Sequence, residues 1–292
     1  MTSDLEVRRI DWQFEPEDTP FLWNPDQPGF SQVANAISFL APPLERYFVA
    51  VTQMALERIE EPDAQDEAER FLRQEALHAR AHRGHVKALV TQHPALADLT
   101  PALERSFDAL LEREALEFHL AYMAGLEATF TPVFRAILEH EDVLFAGGDD
   151  RIASLFIWHF VEEIEHRASA LTIYRSLRSD DDLLIELFPV AFAHVVDVTQ
   201  QAFVAFGEHL PVDVRGDSED PATSLAPLVG EQRIDAAGAP DPASERVPEI
   251  VDRWRAAYTA GVDVRRWYAA GTPRRRDRRV PDERRGAPGH RR

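Results

Sequence analysis

Two Glu-x-x-His pairs, "EALH" at 75–78 and "EIEH" at 163–166, lie in segments whose hydrophobic periodicity is helical, and they limit what this chain can fold into. At ~100° per residue, His159, Glu163 and His166 fall within an arc of about 60° on one helix face. Glu75, His78, His82 and His85 likewise share one face of an earlier helix. Carboxylates and imidazoles on core-facing stripes lose their hydration, a cost that a bound cation removes.

The rest of the chain reads as helices with almost no strand signal, an all-α chain. Residues 1–29 form an extended Pro-rich arm whose Trp12, Phe14, Phe21 and Trp23 are expected to pack across the main body. Helix one is expected to start at Pro43, where proline suits a first turn, and to carry Leu44, Phe48, Val51 and Ala55 at helical spacing. Helix two is predicted over about 66–90, helix three from about residue 101 to 128, helix four over about 151–178 after the "GGDD" turn, and helix five over about 181–208. Together residues 30–208 make one bundle. Residues 209–247 read as a linker or mobile loop, 248–271 as an accessory helix, and 272–292 as a disordered basic tail.

A bundle that holds two metals takes one Glu from each of two helices and a Glu-x-x-His from each of the other two. Helices two and four supply the pairs. Helix three offers Glu117, on a stripe continued by Ala121, Ala124 and Ala128, and helix one offers Glu45. The expected set is Glu45, Glu75, His78, Glu117, Glu163 and His166, with Glu75 and Glu163, or one of them with Glu45 and Glu117, as bridges. Geometry alone leaves Glu162 open as an alternative to Glu163, and the Glu-x-x-His spacing favours Glu163. His82, Glu114 and Glu162 are candidate outer partners that orient the ligands, His82 being open as a ligand or substrate contact as well; His85 and His140 are expected at the surface. The small residues beyond Glu117 leave room for a pocket or for close helix packing, in equal measure.

Composition excludes several classes. There is no cysteine, so disulfides, thiolate metal sites and cysteine nucleophiles are ruled out. The net charge is -19 although Pro273 to Arg292 carry nine Arg against three acids, so the body is strongly acidic and specific nucleic-acid binding is not expected. The first twenty residues lack a secretory pattern, which makes the cytoplasm the expected location. Helix five is the most membrane-like segment, yet Glu186, His194, Asp197 and Pro189 fit a buried bundle helix better; weak membrane association and a homodimer both stay open.

The motifs "FLAPPLERYF", "FLRQEALHARAH", "EALEFHLAYM" and "WHFVEEIEHRASALTIY" resemble those of the ferritin-like di-iron carboxylate proteins, and most of all the family known as predicted metal-dependent hydrolases. The resemblance spans roughly residues 28–207 and implies a ferritin-like four-helix bundle with additional C-terminal helices. The sequence is also similar to di-iron arylamine N-oxygenases and azoxy-forming enzymes, whose His-x-x-x-Glu-x-x-His pattern stands here as His159, Glu163 and His166, and this implies His159 as a seventh protein ligand. The implied cofactors are two Fe ions, with Mn or a mixed Fe/Mn pair as variants, and O2 as co-substrate. The implied activity is oxygenation of an amine or hydrazine, a small-molecule substrate, with an external electron donor. The alternative is a hydrolase whose metal-bound hydroxide attacks an ester or amide. The resemblance accounts for neither the acidic linker, nor the accessory helix, nor the basic tail.

Overall fold

The computed structural model describes residues 5–218 and 246–268, and among these every regular element is a helix. The expected disordered tail, the central part of the expected linker and the last residues of the expected accessory helix lie outside the described residues. The helices are α1 (Pro28–Leu56), α2 (Pro62–Gln92), α3 (Leu99–Arg113), α4 (Leu116–Glu139), the single turn α5 (Glu141–Leu144), α6 (Asp150–Glu165), α7 (Ser169–Leu177), α8 (Asp182–His209), the single turn α9 (Val212–Arg215) and α10 (Glu249–Thr259). Helices α1 and α2 pack along each other, α4 packs on α6 and α7, and α2 closes the ring against α7 and α6. These elements form a four-helix bundle in which α6 and α7 together make the fourth member. Helix α8 lies outside it, against α4 and α1.

Three boundaries differ from the sequence reading, each for a local reason. Helix α1 begins at Pro28 and runs straight through Pro42 and Pro43, which sit inside the helix instead of opening it. The prolines leave the carbonyls of Ser38 and Phe39 without amide donors, a defect that costs on the order of 3 kcal/mol and is offset by buried neighbours Phe39, Leu44, Tyr47 and Phe48. Glu45 therefore stands in mid-helix and is buried, not in an exposed first turn. The expected third helix is two helices, because Glu114 and Ala115 are extended, with ψ of 159° and 163°. The expected fourth helix ends at Glu165, His166 occupies its C-cap, and the chain restarts as α7 at Ser169.

The helix ends follow from capping chemistry. The Asp149 carboxylate accepts from the backbone N–H groups of Arg151 at 3.0 Å and Ile152 at 3.1 Å, which starts α6 where the "GGDD" turn predicts. Helix α10 stops at Thr259, short of the expected residue 271. Gly261 adopts φ +74° there, and the N–H groups of Gly261 and Val262 return to the carbonyls of Tyr258 at 2.9 Å and Ala257 at 3.0 Å.

The N-terminal arm packs as its aromatics predict. Trp12 lies 5.5 Å from Trp158, Phe14 lies 5.1 Å from His85, and Phe21 meets Phe206 edge-on at 4.9 Å. Trp23 is buried among Phe30, Phe145 and Phe156. The small residues of α4 serve packing: Ala121 and Ala124 are buried, and a Cβ at Gly125 would meet Phe188 and Leu184 of α8 at ordinary van der Waals distance. Among the described residues no helix is long and apolar enough to cross a membrane.

Truncating Trp23 removes a large fully buried ring from the joint of arm and bundle. Trp23→Ala should cost roughly 3–5 kcal/mol of stability. A urea unfolding midpoint indistinguishable from the parent's would show that the arm is not part of the cooperative core.

Candidate metal centre

Four helices deliver seven buried ligand-type side chains to the bundle axis. They are Glu45 from α1, Glu75 and His78 from α2, Glu127 from α4, His159 and Glu163 from α6, and His166 from its C-cap. Glu163 is central. Its Oε1 lies 3.0 Å from His159 Nε2 and 3.4 Å from His78 Nδ1, and its Oε2 lies 3.3 Å from His166 Nε2. To one side, Glu45 Oε1 is 3.3 Å from His159 Nε2. To the other, Glu75 Oε1 and Glu127 Oε2 are 3.3 Å and 3.5 Å from His166 Nε2.

Three overlapping groups have ligand atoms within 4.8 Å of one another: Glu45, His78 and His159; Glu75, His78 and Glu163; Glu75, Glu127 and His166. Buried Glu45 Oε2, Glu75 Oε1, His78 Nδ1 and His166 Nε2 take part in no hydrogen bond. Buried polar atoms without partners are costly, and here they converge on a common centre from different helices. With neutral imidazoles, the four carboxylates match the charge of two divalent cations. The residues therefore fit a dinuclear metal site.

Hydrogen bonds outside this ring fix the imidazoles. His78 Nε2–H donates to Glu162 Oε2 at 2.9 Å, which leaves Nδ1 facing the centre. Glu162, fully buried, accepts from Arg8 at 3.0 Å, and Arg8 also donates to Glu165 at 2.6 Å and 2.9 Å. Burial opposes the Arg8 charge, but Glu165 and Glu162 outweigh it and hold the guanidinium protonated. His166 Nδ1–H donates to Gln74 Oε1 at 3.2 Å, and Gln74 in turn donates to the Glu6 carbonyl at 3.1 Å. Both Glu-x-x-His imidazoles are thus tied through one side chain to the N-terminal arm.

A third chain starts at His159. If Nε2 faces the centre, Nδ1–H donates to His82 Nε2 at 2.8 Å, His82 Nδ1–H donates to Ser38 Oγ at 2.8 Å, and the Ser38 hydroxyl donates to His85 Nδ1 at 2.8 Å. Each donor in turn dictates the next tautomer. Burial, together with the neighbouring imidazoles of His159, His85 and His78, holds His82 well below the usual histidine range. Burial pushes His85 down to about 3, so this part of the chain is uncharged.

Three expectations are corrected. Glu117 does not join the centre: its side chain is 46% exposed and pairs with Arg58 at 3.3 Å. Glu114 is exposed at the break before α4 and orients nothing at the centre. Glu117 sits in the first turn of α4, about 15 Å along the axis from Glu127, which is the buried acid of that helix. A signal for it was present, since Glu127 is the lone acid between Phe118 and Leu138. His85, expected at the surface, is fully buried, and Glu162 takes the outer position named as one of its alternatives.

Substitutions should separate the two acids of α4. Glu127→Gln is expected to weaken Mn(II) binding, read by calorimetric titration, by at least the roughly 10- to 100-fold that follows loss of an outer partner, while Glu117→Gln leaves it unchanged. The reverse pattern would restore Glu117 to the centre.

Protons compete with metal. In the metal-free chain, burial and the Glu163 charge raise Glu127 to about 7 against the opposing pull of His166. Burial lowers His159, but Glu163 and Glu45 outweigh it and raise it to about 9. Ligation requires the deprotonated forms, so apparent metal affinity should climb as pH rises through about 7 and about 9. Loading at neutral pH should release protons into a weakly buffered solution. Release that stays constant from about pH 6 to 10 would contradict these assignments.

Residues 6–213 match the family model described as predicted metal-dependent hydrolase, and this span begins at the arm residues that tie down the imidazoles. No curated protein and no solved structure matches the chain. The matched span covers well over half of the sequence and contains all seven residues of the centre, and the chain belongs to the predicted metal-dependent hydrolase family.

Proposed function

We propose that this chain is an O2-dependent dinuclear metal enzyme that oxygenates an amine or hydrazine, with electrons from an external donor. Glu45, His78 and His159 would hold one ion, and Glu75, Glu127 and His166 the other, with Glu163 between them. Carboxylate and imidazole donors without thiolate suit iron or manganese, and a pair of such ions supplies redox chemistry toward O2.

The observation that carries this reading is the surface onto which the centre opens. Glu45, Glu75, Glu127, His159 and Glu163 form the floor of a 290 Å³ cavity whose walls are apolar. Such a cavity has room for O2 and an organic molecule beside the ligand cluster, and its apolar walls favour a desolvated guest. Glu162, Gln74 and His82 hold the three imidazoles in the orientation that ligation would require.

A second reading is metal-assisted hydrolysis of an ester or amide, which the family's description favours. In that chemistry the metal ions themselves would activate the water and stabilise the developing oxyanion. The Thr129 and Thr199 hydroxyls that line the cavity are engaged with the carbonyls of Gly125 and Val195 on their own helices at 3.0 Å and 2.7 Å and add no donor of their own.

The two readings separate cleanly. Protein loaded anaerobically with Fe(II) and given an arylamine or arylhydrazine, a reductant and ¹⁸O2 should consume O2 and place the label in product, whereas Zn(II)-loaded protein should do neither. Ester or amide cleavage by the Zn(II) form without O2, and no label from the Fe(II) form, would establish hydrolysis instead.

A further inference from the structure

We propose, resting on the reading of this centre as the reaction site, that the cavity between α1, α4 and α8 binds an uncharged, ring-bearing organic molecule whose one polar group meets the metal ligands. The volume sets the size. At 290 Å³ the cavity is about twice the ~150 Å³ void that accommodates one benzene, room for about two fused rings.

The lining sets the chemistry. Phe48, Phe130, Phe134, Phe192 and Phe203 line the cavity, together with aliphatic side chains, and no Lys or Arg does. Rings of this kind favour edge-to-face and offset contacts with an aromatic guest. Polar side chains not engaged with their own helix occur in two places: at the floor, where they belong to the ligand cluster, and at the rim, where Gln200 is exposed. Between floor and rim both threonine hydroxyls already donate to backbone carbonyls. A charge carried on the body of a guest would give up hydration there and find no counter-charge.

The entrance is on α8. Phe192 and Val196 line the cavity yet are 43% and 49% exposed, so they form its lip. Val190, 50% exposed, projects about 160° around the helix from Phe192 and lies off the lip.

A binding measurement on Zn(II)-loaded full-length protein tests this without requiring turnover. 1-Naphthylamine, uncharged at pH 8, should bind at one site per chain with blue-shifted fluorescence, and 4-amino-1-naphthalenesulfonate should bind at least about tenfold more weakly. Val133→Trp and, on the outer helix, Thr199→Phe should each fill the cavity and weaken 1-naphthylamine by about tenfold or more, with metal content and helicity retained. Val190→Lys should leave binding unchanged. Absence of saturable binding, equal affinity for the sulfonate, or full binding by a folded cavity-filling variant would overturn the proposal. Saturable binding without ¹⁸O incorporation would retain the cavity's role and remove the oxygenation; incorporation without naphthylamine binding would do the opposite.

Discussion

Glu163 lies within 3.4 Å of three imidazole nitrogens and has both oxygens engaged, and the bundle is arranged around that carboxylate. Burial pushes its carboxyl up, but His166, His159 and His78 outweigh burial and hold it well below the ordinary glutamate range. Glu75 is driven the other way, well above that range, by burial and by the charges of Glu163, Glu127 and Glu45, which outweigh His166. A ring that stabilises one carboxylate and strains its neighbour is short of positive charge. Two divalent cations would supply it, and a metal-loaded core would be cheaper to bury than a bare one.

The centre is held from outside the four helices as much as from within. Arg8 reaches Glu162 and Glu165 from the arm, and its guanidinium lies over Trp254 at 5.2 Å and Tyr258 at 5.4 Å of α10. Arg255 of the same helix donates to Glu165 at 2.6 Å. The N-terminal arm and the C-terminal helix thus meet on the residues that aim His78. Helix α10 lies beyond the span that matches the family model.

Much of this is legible in the sequence because chemistry and periodicity coincide in Glu-x-x-His: the pairs point to Glu75, His78, Glu163 and His166, which the structure brings together, and the isolated acid Glu45 joins them on one side. Glu127 was missed for a different reason. The 101–128 stripe reads as one continuous helix, whereas α4 starts afresh at Leu116 and Glu117 falls in its first turn, about 15 Å along the axis from the level at which Glu127 reaches the ring. The start of α1 was misplaced because proline is both an opener of helices and, with enough buried surface around it, a tolerated interior residue. His85 illustrates a limit of another kind, since its burial depends on Ser38 and Phe14, contacts that no local pattern encodes.

The most direct test of the dinuclear centre is anomalous diffraction from crystals of metal-loaded protein, recorded at the iron and manganese edges. Two peaks are expected inside the ring of seven side chains, one beside Glu45, His78 and His159 and the other beside Glu75, Glu127 and His166, with Glu163 reaching both. A single peak, or none within that ring at full metal loading, would contradict the account.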